Sequence, residues 1–437
     1  MAYNQSNQSI LAIQRKECNK IIKKVRAGNV KSSKEPLYTS CMRVFTKDIY
    51  RISGGDLEQP HQPHQQLQLP QLPQLPQQLQ QPQLPQQHLN TEKSQFDKYI
   101  LINRIKNYHA LRIHLSLLKD DECLVNKTYA DGSKGYTIRD IINLEKRIGS
   151  KSRYGSIYLT TINGVPNTLP IATKIMIHNN NNIIETDIMN MIKNHIILKS
   201  LSRHFLLTYG NCVCSKKIAK KLKLININEL ADGDLKMLIE MKDVVGNSEL
   251  MFNLFIQACI SIATFQNFVG YVHRDTHYGN FLYQNNNEIG YYHYIYDHKD
   301  YYLKSCKYNI MIYDFGFAKK INILEDAQAI IKKKDEIYDD YKKITNAFIT
   351  KKKGGWIKLS NIPSYKDVNN QMIEISDMLD KYIEYELTYN GNHTSSSFSH
   401  VLFSNIIDNI FMKYAPKSMF VHERPPNVIN ETPFRIN

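Results

Sequence analysis

The sequence predicts an α+β fold in two lobes, a small strand-rich half followed by a mainly helical half, with a disordered Gln/Pro-rich linker ahead of both. Three observations lead there. Between Tyr136 and Ile177, short β-like runs ("SIYLTTI", "LPIATKIMI") alternate with Gly, Asn and Pro turns. Beyond Leu235, apolar residues recur at three- and four-residue intervals, most clearly in the proline-free stretch "LMFNLFIQACISIATFQNF". Residues 59–88 are almost entirely Gln, Pro, Leu and His. A strand-rich half followed by a helix-rich half implies two packed lobes with a cleft between them.

Residues 1–58 hold eleven Lys or Arg against five Asp or Glu, a net charge of +6, and "ILAIQRKECNKIIKKVRAG" has the spacing of one short helix. Such an arm suits an acidic partner, nucleic acid included. Aromatic residues able to stack on bases are sparse in it, so a solvated, weakly ordered tail is the expectation. In the linker, residues 59–88, proline at every third or fourth position removes backbone donors and forbids helix or sheet, leaving a disordered or polyproline II segment. Residues 89–136 read as an N-terminal extension of the folded part, which runs over 137–437. Strands are expected to about residue 228, a hinge at 229–231 and helices over 232–437. Within the first lobe, "NNIIETDIMNMIKNHIILKSL" sets Ile184, Ile188, Met191, Ile192 and Leu198 at helical spacing behind asparagines able to cap the helix.

Composition bounds the reading. A chain of 437 residues with 42% hydrophobic content buries one large two-lobed core or two ordinary ones. A formal net charge of +15 and a pI near 9.2 favour anionic partners. The seven cysteines are odd in number and irregularly spaced, and Cys259 falls inside an apolar helical pattern, so reduced thiols in a cytosol-like compartment are expected. Cys212 and Cys214 form a C-x-C pair with no second pair at zinc spacing and read as ordinary strand residues. No signal peptide is evident and no apolar run reaches the roughly 18 residues needed to span a bilayer, so a soluble, non-secreted protein without a membrane partner is expected.

The chemistry concentrates at "YVHRDTHYGNFLY", residues 271–283, where polar residues sit between apolar flanks that would bury themselves. Asn280 lies five residues after Asp275, and "IMIYDFGFA" supplies Asp314 at the end of an apolar run and before a glycine. An aspartate able to accept a hydroxyl proton, an asparagine able to offer a carbonyl oxygen, and a second aspartate on a separate strand are what metal-assisted phosphoryl transfer requires. Mg²⁺ takes hard oxygen ligands and keeps several waters, so one carboxylate and one amide oxygen suffice from the protein.

"HRDTHYGN" at 273–280 and "DFG" at 314–316, in this order after a long apolar helix, resemble the protein kinase superfamily. The resemblance implies a two-lobed kinase-like fold with ATP and Mg²⁺ as cofactors, Asp275 as catalytic base, and Asn280 and Asp314 as metal ligands. Upstream, "RIGSKSRYGSIYL" is similar to a glycine-rich phosphate loop, bringing Ile148, Gly149, Gly155 and Ile157 to the nucleotide. In "LPIATKIM", Lys174 matches the strand lysine that holds the phosphates, with Ala172 packing on adenine. Glu185 of "IIETDIMNMI" matches the helix glutamate that pairs with that lysine. "LININELADGDLKML" resembles the interlobe hinge, where Glu229 to Ala231 would offer backbone groups to adenine and Asp234 would reach the ribose.

Departures qualify the match. The phosphate loop lacks its middle glycine and carries Lys151 and Arg153. His277 stands where serine/threonine protein kinases carry a lysine, as in the "HRDLHWGN" loop of haspin-like kinases and the "DLHxGN" pattern of some small-molecule phosphotransferases. The 33 residues between Asn280 and Asp314 replace a short hairpin, and no "APE" motif follows Asp314. The Asn, Ile, Lys and Tyr enrichment, with the Gln/Pro tract, resembles the serine/threonine kinases of giant DNA viruses such as mimiviruses. That implies a viral enzyme acting on a viral or host protein, in host cytoplasm or in the virion. An active serine/threonine protein kinase is thus the expected function, with a pseudokinase binding module and a kinase-fold small-molecule phosphotransferase as alternatives. Because no Ser, Thr or Tyr follows Gly316 until Tyr338, Arg274 is expected to pair with a local carboxylate or carbonyl and not with a phosphorylated loop.

Overall fold

In the computed structural model, the described residues are 99–118, 123–128, 132, 134–148, 155–165, 171–218, 221–321, 327–350, 365–389 and 394–437. The chain divides into two units, Met1–Pro82 and Gln83–Asn437, and every described residue lies in the second. The basic arm, the Gln/Pro linker, Gly149, Lys151 and Arg153 lie outside the described residues.

The fold is α+β. Helix α1 (Leu101–Leu115) precedes seven strands, β1 (Leu124–Thr128), β2 (Lys134–Ile138), β3 (Ile142–Ile148), β4 (Gly155–Ile162), β5 (Ile171–Ile177), β6 (Thr208–Ile218) and β7 (Lys221–Glu229). They form one antiparallel sheet in the order β1-β2-β3-β4-β5-β7-β6. Strand β2 crosses the boundary expected at 136/137, and α1 packs on β6.

Cysteine usage needs a correction. A disulfide joins Cys123, immediately before β1, to Cys214 in β6, with Cα atoms 4.6 Å apart. The sheet therefore curls until the flank of one edge strand is tied to the other edge. These two cysteines are thus not free thiols, because the curl brings them together. A cross-link spanning a sequence separation of 91 residues contributes about 4–5 kcal/mol through loop-closure entropy.

Between β5 and β6 lies α2 (Asn180–Ile192), capped as expected: Asn179 accepts from the Asn182 N–H. Its buried face runs through Glu185, Ile188, Met189 and Ile192, whereas Ile184 is exposed and Met191 half-buried. The apolar spacing misjudged the face, because the helix turns Glu185 inward to meet the sheet.

The second half is less uniformly helical than its periodicity implied. Short helices α3 (Leu235–Ile239) and α4 (Lys242–Val245) lead to α5 (Ser248–Ala263), which continues through a π-helical turn to Val269. Contrary to expectation, the stretch Ser248–Val269 has the length and composition of a membrane span, but 83% of its most apolar window is buried inside the protein, which accounts for its apolarity. Gly270, at φ +82°, ends it in a left-handed turn that other residues adopt at a cost. A three-stranded sheet then joins β8 (Gly233–Asp234), β10 (Phe281–Asn285) and β13 (Tyr308–Ile312), while β9 (Tyr271–Val272) pairs with β14 (Lys319–Lys320). Strands β11 (Tyr291–Tyr296) and β12 (Lys299–Lys304) make a hairpin, flanked by β15 (Phe420–Val421) and β16 (Phe434–Arg435). This hairpin is thus a buried aromatic sheet completed by β15 and β16, with Tyr292, Tyr294, Tyr296, Tyr301 and Tyr302 in its core. Helices α6 (Ala327–Ala347), α7 (Lys366–Tyr389) and α8 (Ser395–Ile406) complete this half against α5.

Candidate active site

Lys174 projects from β5 opposite Ile157 of β4 and Asn226 of β7. Its Nζ lies 2.6 Å from Glu185 Oε1 on α2 and 3.0 Å from Asp314 Oδ1, 140 residues further along the chain. Lys174 and Glu185 are buried, while the Asp314 side chain is 39% exposed. Burial acts to lower the ammonium's proton affinity, but the Glu185 carboxylate, with Tyr313 and Asp314, outweighs it and holds Lys174 above its ordinary value. Burial raises the Glu185 carboxyl, against the pull of Lys174. For Asp314, burial is again opposed by the charge and hydrogen bond of Lys174, and here the lysine wins: the carboxyl is held below its usual range.

Asp314 owes its position to strand pairing and to strain. Pairing of β10 with β13 puts Asn280 beside Tyr313, whose N–H donates to the Asn280 carbonyl at 2.9 Å. Asp314 then adopts φ +65°, a conformation disfavoured for a non-glycine residue. Phe315 pins it by stacking on Phe265, with ring centroids 4.8 Å apart.

In the 273–280 loop, Asn280 Nδ2 donates to the Asp275 carbonyl (2.8 Å) and to its Oδ2 (3.0 Å). Among the described residues nothing donates to the Asn280 Oδ1, which remains available to a metal. His277 Nδ1 accepts from the Gly279 N–H, so its Nε2 carries the proton and points at Asp275 Oδ2, 3.6 Å away. His273 bridges the two halves of the site: Nδ1 accepts from the Asp275 N–H (3.3 Å) and Nε2 donates to the Tyr313 carbonyl (2.9 Å).

Asp340, not singled out from the sequence, organises this loop. Fully buried on α6, its carboxylate accepts from the backbone N–H groups of His273 (2.8 Å) and Arg274 (2.7 Å) and from Gln266 Nε2 (3.0 Å). Its carbonyl accepts from Thr276 Oγ1. A signal was present: Ile337, Tyr341 and Ile344 form the apolar stripe of α6, and Asp340 lies within it. Arg274 Nε pairs with Glu336 Oε1 at 3.3 Å, and Lys343 donates to the Arg274 carbonyl.

Of the expected nucleotide-binding residues, Ala172 is buried on β5, and Ile148 and Ile157 face each other across β3 and β4. Gly155 starts β4 so close to β5 that a Cβ would lie 2.9 Å from the Ile175 carbonyl oxygen. Ala231 is half-buried between β7 and β8. Two of these residues also serve the scaffold. Glu229 donates its N–H to the Leu207 carbonyl and gives its carboxylate to Arg104. Asp234 accepts from the Met237 N–H through Oδ1 as the N-cap of α3.

No group of three His, Cys, Asp or Glu residues able to hold a metal occurs among the described residues. The hard oxygens of Asp314 and Asn280 fit Mg²⁺ only if phosphate and water complete its shell. Compared with known proteins, the chain matches no family model and no curated protein.

Proposed function

We propose that this chain is an ATP- and Mg²⁺-dependent phosphotransferase with a protein kinase-like fold, most simply a serine/threonine protein kinase. One observation carries the reading: Lys174 bridges Glu185 and Asp314 from three separate elements, at 2.6 and 3.0 Å, beside a loop in which Asn280 holds Asp275. A buried lysine kept charged by a buried glutamate is suited to phosphate oxygens. Asp314 and Asn280 would hold Mg²⁺, which when bound neutralises charge on the phosphates. The phosphoryl group passes from the leaving ADP oxygen to an acceptor hydroxyl whose proton goes to Asp275. Asn280 fixes the Asp275 carboxylate, and His277, with Nε2–H toward it, offers a donor where charge develops on the transferred group.

A second reading, transfer to a small-molecule hydroxyl, is favoured by the short path from Gly316 to the start of α6 at Ala327, which leaves few residues for a peptide platform. Incubation with labelled ATP and Mg²⁺, with protein and small-molecule acceptors in parallel, tests both. Asp314→Ala should abolish Mg²⁺-dependent nucleotide binding. Binding that survives in that variant, or an absence of transfer to every acceptor, overturns the proposal.

A further inference from the structure

The segment joining the lobes is braced from outside by α1. Arg104, fully buried, donates from Nε to Glu229 Oε1 (2.9 Å) and from Nη2 to Oε2 (2.8 Å). Its remaining reach is spent on the carbonyls of Phe205 (2.6 Å) and Arg203 (3.3 Å), and Glu229 Oε2 also accepts from the Leu207 N–H. Just ahead of the helix, Tyr99 donates to Asp232 Oδ1 at 2.6 Å, and Asp232 Oδ2 accepts from the Asn285 N–H and side chain of β10. Helix α1 and Tyr99 just ahead of it therefore grip both ends of residues 229–232 and tie them to the 203–207 segment and to β10. A guanidinium fork with its donors spent on one carboxylate and two carbonyls has a single geometry.

From this geometry we infer that α1 is a hinge brace and that Arg104 is a positioning residue for nucleotide binding, acting through the backbone of residues 229–231. The inference rests on the phosphotransferase reading for its consequence but not for its mechanics. With the brace in place, the angle between the halves and the direction of the hinge backbone groups are set before nucleotide arrives, so binding does not bear the cost of ordering them.

The test uses the full-length chain. Arg104→Ala leaves a buried, unpaired carboxylate and risks unfolding. The double variant Arg104→Met/Glu229→Met removes both charges, and Arg104→Lys keeps the charge but loses the fork. Two quantities are read: amide hydrogen exchange of residues 229–232 without nucleotide, and the Kd for a non-hydrolysable ATP analogue with Mg²⁺. Expected is at least tenfold faster exchange at 229–232 in the double variant with β3–β5 unchanged, and a roughly tenfold weaker Kd with the kcat of the saturated enzyme within twofold. Arg104→Lys should fall between. Unchanged exchange at 229–232 overturns the brace, as does an unchanged Kd in a double variant that exchanges faster. Nucleotide failing to bind the unmodified chain would instead overturn the phosphotransferase reading, and faster exchange in the double variant would then still support the brace.

Discussion

Two buried ion pairs, Lys174–Glu185 beside Asp314 and Arg104–Glu229 against residues 229–232, put similar charges in two regions of the molecule with opposite degrees of completion. Around Arg104 every partner is protein: a carboxylate gripped by a fork, two backbone carbonyls, and a backbone N–H closing the carboxylate's other side. Around Lys174 one partner, Asp314, is 39% exposed, and in the 273–280 loop no described residue donates to the Asn280 Oδ1. A saturated pair defines a shape; an unsaturated one can exchange a partner for a ligand. Burial alone therefore does not separate scaffold from site, whereas counting the donors and acceptors left over does.

The sharpest way to break this contrast is on the open side. Asp275→Asn should lower transfer by about 10²–10⁴-fold and leave nucleotide affinity and thermal midpoint nearly unchanged, because the substitution keeps the shape of a side chain that is 35% exposed. Near-normal turnover would remove Asp275 from the base role. On the closed side the effect should appear in stability. Arg104→Ala strands Glu229 without its counter-ion, and denaturant titration should show a loss of about 3–5 kcal/mol.

His204 offers a pH test of the same closed region. Its Nδ1 bonds the Ile310 carbonyl and its Nε2 the Tyr294 hydroxyl, and burial, helped by Arg203 and Arg104, lowers its pKa to about 3. Below pH 6.5 the unfolded chain takes up a proton that the native state refuses, so stability is full above 6.5 and falls as pH drops toward 3. The slope attributable to this residue is about 1.4 kcal/mol per pH unit. Denaturation of His204→Gln should lack that slope; parallel curves for the two proteins would refute the assignment. The smallest effect concerns Arg274. Since Glu336 holds it and no hydroxyl residue lies between Gly316 and Tyr338, phosphatase treatment should leave the transfer rate within about twofold, a barrier change of about 0.4 kcal/mol. A tenfold loss, reversed by rephosphorylation, would reveal a switch.

What could be read in the sequence was what neighbouring residues decide among themselves. The Asn179 cap, the proline-free core helix and the 273–280 loop each depend on interactions within a few residues, and there the pattern of residue types is the physical cause. Lys174, Glu185 and Asp314 were singled out by their order along the chain, and the structure brings Glu185 and Asp314 within 3.0 Å of the lysine. Contacts between distant segments were decided only by the tertiary structure. Nothing near Cys123 announces Cys214, 91 residues away, since their meeting depends on how far the sheet curls. Nothing near Arg104 announces Glu229, and the apolar face of α2 was misread because Glu185 had to point inward. Strands β15 and β16 completing the Tyr-rich hairpin are another such case. A buried charge or an edge strand requires a partner, and the sequence states that requirement, but only the folded chain selects which of many distant residues meets it.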